Sequence, residues 1–341
     1  DLQTVRPLAA EETLTLTGVY EMGGNDTDNP EFTNTGKRYA LSFVEKFADD
    51  TIGLAVALAT TESPRNERKY GVWGYAENDA GQILPTGLDS HAQSTSLERD
   101  TISAVLQYKP HDNLNVVLDI LDIDYSDSGV RRGIVEPFSF TNVTGSGVNS
   151  TGTQVEANPV LRTDPREKTG ELQTLGLNVE YYFNDDWAVE IDIAKSESEK
   201  RDLRGESYAG LARSGALAAS QLGSREFQMS NDGIVFTDST GLEALSDPAL
   251  LQLTGPQAWG GGLASLAGQF ETDTLQANGN PFSYLNAQDG FMNYADFSEE
   301  LTTAKLEVTG SLETDFFTDV TVGVNYSDRF KDKVNTGLFV T

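Results

Sequence analysis

The chain has 341 residues, no cysteine, two histidines and a formal charge of −29, from 24 Lys and Arg against 53 Asp and Glu. That acidic excess argues against nucleic acid, whose phosphates are read through Lys and Arg, and against docking on anionic lipid through a basic patch. Without cysteine there are no disulfides, thiolate nucleophiles or zinc–thiolate sites, and His91 and His111 alone supply a histidine metal or acid–base centre poorly.

No apolar run approaches the roughly 20 residues of a membrane-spanning helix. A mean hydropathy of −0.37 does not exclude a membrane, because a transmembrane barrel hides its apolar half by alternation.

The pattern along the chain has a period of two. A first strand is expected over 12–21, with Leu14, Leu16 and Tyr20 on one face, and a second over 36–47, where Tyr39, Leu41 and Phe43 alternate with Arg38, Ala40 and Ser42. Ala48-Asp49-Asp50 turns the chain into a third strand, 51–61, with Ile52, Leu54, Val56 and Leu58 on one side. A fourth, 97–109, carries Ile102, Ala104, Leu106 and Tyr108, and Pro110–Asn113 turns it into a fifth, 114–126. The fifth strand changes phase: Leu114, Val116, Leu118 and Ile120 share one side, Leu121, Ile123 and Tyr125 the other. Either a β-bulge near Ile120–Leu121 restores the phase or the end of the strand lies outside the membrane.

The clearest hairpin is 169–200. Leu175, Leu177, Val179, Tyr181 and Phe183 precede the turn Asn184–Asp186, and Trp187, Val189, Ile191 and Ile193 follow it. Tyr181, Phe183 and Trp187 read as an aromatic girdle, and Glu180, Glu190 and Asp192 are expected on the opposite, polar side. Each arm exceeds ten residues, near the roughly 9–11 of a tilted strand crossing a bilayer. Within 201–297, helices are expected at 206–222 and at 241–253, the latter with Ser246-Asp247-Pro248 as its start. Strands eight and nine fall at 298–313 and 320–331.

Short turns at 48–50, 110–113, 184–186 and 314–319 all lie at one end of the hairpins. Long loops at 22–35, 62–96, 127–168 and 201–297 lie at the other. The expected fold is therefore all-β: part of an antiparallel transmembrane barrel with short periplasmic turns and long extracellular loops. Nine strands leave two open edges, which invite aggregation, so the wall is expected to be larger.

Four segments in this order resemble a known family. Asp1-Leu2-Gln3-Thr4-Val5-Arg6-Pro7-Leu8 is similar to the segment that leaves the plug and enters the barrel in TonB-dependent outer-membrane receptors. Phe47-Ala48-Asp49-Asp50-Thr51-Ile52-Gly53-Leu54 resembles the first periplasmic turn of the branch common in Caulobacter-like and Xanthomonas-like bacteria, and Trp73-Gly74-Tyr75 its following loop. Gly323-Val324-Asn325-Tyr326-Ser327-Asp328-Arg329 resembles its mid-barrel segment, with Asn325 in place of the usual Arg.

The resemblance implies a 22-stranded barrel with a plugged lumen. On that reading residues 1–11 connect plug to barrel and 12–341 form its first nine or so strands, with the plug before Asp1 and further strands after Thr341. It implies an outer-membrane location, TonB as partner through the plug, and import of a scarce solute. An oligosaccharide is expected, since the branch includes maltodextrin receptors; other members take siderophores. The alternatives are a passive porin-like channel, whose constriction needs basic rows that the polar faces here seldom supply, and a soluble all-β carbohydrate-binding module.

Trp73, Tyr75, Trp259, Phe282, Tyr284, Phe291 and Tyr294 fall in the expected outer loops, where rings beside carboxylates and amides suit sugars; rings that pin loops together are the structural alternative. Asn25, Asp26, Asp28, Asn29 and Glu31 offer oxygens for calcium but lack EF-hand spacing, so solvated acidic residues are expected and no metal or other cofactor. Asp119, Asp122, Asp124, Glu190 and Asp192 suggest the paired carboxylates of a glycosidase, but on alternating strands they read as a hydrated lumen face, and no enzyme is expected. Arg131-Arg132 and Arg65–Lys69 are the dense basic spots, with lipopolysaccharide phosphates as the expected partner.

Overall fold

A computed structural model describes residues 5–210, 222–253, 290–312 and 316–340. Nine strands form one continuous antiparallel path: β1 (Thr13–Met22), β2 (Thr35–Phe47), β3 (Ile52–Glu77), β4 (Ile83–His111), β5 (Leu114–Pro137), β8 (Val160–Tyr182), β9 (Trp187–Gly210), β13 (Gly290–Ser311) and β14 (Asp319–Val340). The two-residue β12 (Gln252–Leu253) adds to β9. A second sheet takes β6 (Ser139–Thr144), β7 (Thr151–Ala157), β10 (Gly223–Ser230) and β11 (Gly233–Thr240) in the order β11-β10-β7-β6. Among the described residues β1 and β14 are the two edges of the main sheet; it does not close.

The expected short turns stand at the expected end. The strands, however, run on through most of the expected loops: β3 and β4 reach 26 and 29 residues and meet at a turn of residues 78–82. Loop 127–168 is the rest of β5, then β6, β7 and the start of β8; the described part of 201–297 holds strand as well. The expected helices are not formed. Residues 206–210 belong to β9, and 211–221 lie outside the described residues. In 241–253 there is one 3-10 turn at Glu243–Ser246, followed by a turn in which Asp247 Oδ1 accepts from Ala249 N at 2.9 Å. Asp247 does cap a turn there, but Pro248 starts no helix.

The pairing of β5 is continuous from Leu114 to Val135 against β8, so no bulge occurs at Ile120–Leu121. Leu118 and Ile120 are 39% and 42% exposed on one face, and the positions above them on that same face are Asp122 and Asp124. The apolar stripe simply ends. The same stop recurs after Ile102 (Asp100), Leu175 (Gln173, Glu171), Ile193 (Lys195, Glu197) and Ala304 (Thr302, Glu300). Leu114 to Ile120 spans about 20 Å at roughly 3.3 Å per residue, near the apolar band of about 25 Å on a membrane barrel. At the turn end the rings gather as expected: Tyr181 and Phe183 meet edge to face at 5.2 Å, and Trp187 lies across Gly310, where a Cβ would stand 2.5 Å from its ring.

The opposite face is polar and more enclosed. Val44, Ala55, Val105 and Val117 form a small cluster there with Ala10, and residues 5–10 lie against it, Pro7 over Gly53. Leu8 N donates to Gln107 Oε1 (3.0 Å), Gln107 Nε2 to Asn115 Oδ1 (2.8 Å), and Asn115 Nδ2 to Glu180 Oε2 (2.9 Å). A second core, of Leu84, Phe227 and Ile234 with Phe138, Phe140 and Phe236, seats the four-stranded sheet on the tip of β3–β4. Inside that sheet Glu136, fully buried, is matched by Arg225 and Gln154, and Arg225 lies 3.7 Å over the Phe236 ring.

The turn between β2 and β3 is left-handed throughout: Ala48, Asp49 and Asp50 have φ of 55°, 54° and 61°. Each such non-glycine residue costs roughly 1–2 kcal/mol, and Thr51 offsets part of it by donating from both N and Oγ1 to Ala48 O. Asp49→Gly should raise the denaturant midpoint, whereas Asp49→Val, with a β-branched side chain, should lower stability by about 1–2 kcal/mol. Chemical unfolding followed by tryptophan fluorescence checks both.

Candidate ligand-binding face

Because every pairing on the nine-strand path keeps one register through the strand bodies, residues line up in rows that cross the sheet. Directly opposed residues share a face, and adjacent rows alternate faces. Just above the apolar band, one row on the apolar face reads Asp100, Asp124, Glu171, Glu199, Ser298, Asp332. The neighbouring row, on the polar face, reads Arg38, Thr61, Arg99, Tyr125, Gly170, Lys200, Phe297, Lys333. One row carries five acids and no cation, the other four cations and no acid. The polar face is therefore not short of Arg and Lys above the band, which corrects the expectation from the sequence. Asp122 and Asp124 are corrected too: unbroken pairing puts them on the apolar face, away from Asp119, Glu190 and Asp192.

Farther along the polar face the charges are paired and buried. Asp89 takes Arg131 Nη2 on both oxygens (2.8 and 2.7 Å) and meets His91 Nδ1 at 3.1 Å. Arg162 Nη2 binds Asp164 Oδ2 at 2.7 Å and Glu206 Oε1 at 2.6 Å, and Tyr208 OH donates to Glu206 Oε2 at 2.7 Å. Two carboxylates share one guanidinium, Arg131 standing 3.8 Å from Asp164. Burial then outweighs the attraction of Arg162 and raises the Asp164 carboxyl to about 6. Burial likewise pushes the Tyr208 phenol up, and the Glu206 carboxylate adds to it.

The loop from β1 to β2 crosses the other face of β3–β5. Arg68 holds Asp28 (Nη2 to Oδ1 2.8 Å), and Arg132 holds Asn29 Oδ1 (3.0 Å) and Glu31 (2.5 Å). These hydrogen bonds keep both carboxyls below their usual range. The loop oxygens expected to be solvated are thus taken by arginines, and no cluster of three His, Asp or Glu that could hold a metal occurs among the described residues.

The described residues of the expected aromatic site are not brought together. Trp73 and Tyr75 lie in β3, not in a loop; the Trp73 ring covers Gly87, and Gly74 between them is held to glycine twice over, by its φ of +64° and because a Cβ would meet Thr86 Oγ1 at 2.0 Å. Phe291 and Tyr294 lie in β13, four strands away from β3 across β4, β5, β8 and β9, and they occupy opposite phases of the strand. Trp259, Phe282 and Tyr284 lie outside the described residues. The rings that do share a row with cations, Tyr125 and Phe297, were not singled out in the sequence. The available signal was phase: Arg38, Arg99, Lys200 and Lys333 each fall opposite the apolar stripe of their own strand.

No family model and no curated protein matches the chain. A solved structure, Pseudomonas aeruginosa OpdQ, aligns at 8% identity over 96% of this chain and 95% of its own, with a TM-score of 0.09 that carries no argument.

The raised Asp164 carboxyl has a pH consequence. The folded state holds its proton more tightly than the unfolded chain, so its contribution to stability falls as pH rises from about 4 to about 6. Asp164→Asn should remove that slope, on the order of 3 kcal/mol at 1.36 kcal/mol per pKa unit. The difference between wild-type and variant unfolding curves at pH 4 and pH 7 checks it.

Proposed function

We propose that this chain forms part of the wall of a bacterial outer-membrane transport protein. The observation that carries the reading is the apolar band. It follows seven successive strands from β3 to β14 at one height, with large side chains such as Leu58, Ile102, Leu106, Ile120, Leu175, Ile193 and Leu306 each 41–52% exposed. Exposed leucine and isoleucine in a continuous band, polar residues behind it and carboxylates above it suit a wall between lipid and water. In water the same band would be an aggregation surface.

The short turns at one end and long hairpins at the other support a periplasmic and an outer side. The resemblance to TonB-dependent receptors supports a TonB-driven importer, with residues 5–10 on the polar face as the entry from a plug. The cationic row favours a second reading, a passive channel for anions. Uptake that stops when a protonophore collapses the energised membrane supports the importer; uptake that continues supports the channel.

Leu177→Arg on the band should cost about 2–4 kcal/mol of folding free energy in lipid vesicles, while Thr174→Arg on the polar face of the same strand should cost little. Equal effects of the two substitutions, or a compact monomer in water without detergent, would sink the membrane reading.

A further inference from the structure

We propose that the cationic row on the polar face is a binding track for a polyanionic solute, with Arg99, Lys200 and Lys333 taking its anionic groups and Tyr125 and Phe297 receiving the ring or apolar faces between them. This deepens the transport reading above and rests on it for the solute's passage, but not for its binding.

The argument begins with bookkeeping of charge. Acids outnumber bases 53 to 24, so a cation placed at random should find a carboxylate. Lower and higher on the same face they do: Lys305 meets Glu307 at 3.1 Å, and Arg131 and Arg162 are held as described. In the row itself Arg38 is held by Glu21 at 2.9 Å, but Arg99 and Lys333 have no ion-pair partner among the described residues, and Lys200 comes only within 3.9 Å of Asp202. Asp127 and Asp202 stand on the polar face two residues beyond Tyr125 and Lys200, but the five carboxylates of the acidic row lie one residue away along the strands, on the other face. The sheet keeps them apart.

The rings are placed with the same regularity. The Tyr125 ring lies against Gly170, where a Cβ would stand 2.6 Å from its Cε1, so the glycine is what makes room for the ring in the row. Phe297 is flanked by Lys200 Nζ at 5.3 Å and Lys333 Nζ at 5.0 Å from its centroid. With neighbouring strands about 4.8 Å apart, Arg99, Lys200 and Lys333 are spaced about 14 and 10 Å along a line. A solute that matches this line is extended, carries anions at intervals, and offers faces that stack. Acidic oligosaccharides and large anionic ferric chelates share that chemistry.

The net charge of −29 would repel such a solute if it were spread evenly. It is not spread evenly: this row faces away from the acidic one, and a low-dielectric sheet separates the two fields.

The test uses the full-length protein and three probes: a uronate oligosaccharide, a neutral maltooligosaccharide and an anionic ferric catecholate. Binding is measured by calorimetry at low and high salt. At least one anionic probe should bind, more weakly at high salt, and the triple variant Arg99→Gln/Lys200→Gln/Lys333→Gln should weaken it about tenfold or more. Asp100→Asn/Asp124→Asn, on the other face, should leave affinity within about twofold, since it touches no part of the track. Which anionic probe binds identifies the source. Anionic probes binding no better than the neutral one, or unchanged affinity in the triple variant with a native unfolding curve, would overturn the proposal. Either result leaves the transport reading standing if the protein still inserts and imports a neutral solute. Conversely, a protein that binds anions but never reaches a membrane keeps the track and loses the transport.

Discussion

Everything in this structure depends on one constraint: nine strands paired with unbroken register through their bodies. A slip of one residue in any strand would turn its whole apolar set to the other face. Because none occurs within the paired bodies, the stripes of separate strands join into a band, and single charges separated by 24 to 133 residues in sequence join into rows. Arg99 and Lys200 gain a common function only through the three pairings between them, β4–β5, β5–β8 and β8–β9. The short turns set that register. The asparagine of the Asn184–Asp186 turn accepts from both Asp186 N and Trp187 N, fixing where β9 begins relative to β8.

The lower part of the fold was legible in the sequence because there the two faces differ. Leu175, Leu177 and Val179 against Gly176, Asn178 and Glu180 can only be a strand with one apolar side. Above the band both faces meet water, and the alternation that announces a strand disappears. Pro64-Arg65-Asn66-Glu67 reads as loop for that reason, yet it pairs residue by residue with Gln93–Ser96. The phase change in β5 had the same origin: Leu121, Ile123 and Tyr125 are polar-face residues that pack over neighbouring strands, and Asp122 and Asp124 are apolar-face residues past the end of the band. The unbroken pairing rules out the β-bulge that the sequence left open.

The candidate site was less legible than the fold, because types of residue were weighed and their phase was not. Trp73 and Tyr75 drew attention as rings in a loop, but Trp73 packs on Gly87 and serves the hairpin tip. Arg131-Arg132 looked like one basic spot. Adjacent residues in a strand point to opposite faces, so Arg131 belongs to the buried network with Asp89 while Arg132 pins the β1–β2 loop.

The acidic row shows how far charge placement outranks local stability. Asp100, Asp124, Glu171 and Glu199 oppose one another directly in three successive pairs, an arrangement that costs roughly 0.2–1 kcal/mol for each. Exchanging Asp124 with the unpaired Arg99 side of the sheet would relieve both rows at once, at no change in composition. The chain does not do so. All four acids stand exposed, where water screens them, and of the cations opposite Arg99 and Lys333 are left without acids of their own among the described residues. A sheet selected for stability alone would mix the two signs. One that lines five carboxylates up in a row on one face and four cations in the next row on the other gives up some stability to hold those two rows on opposite faces.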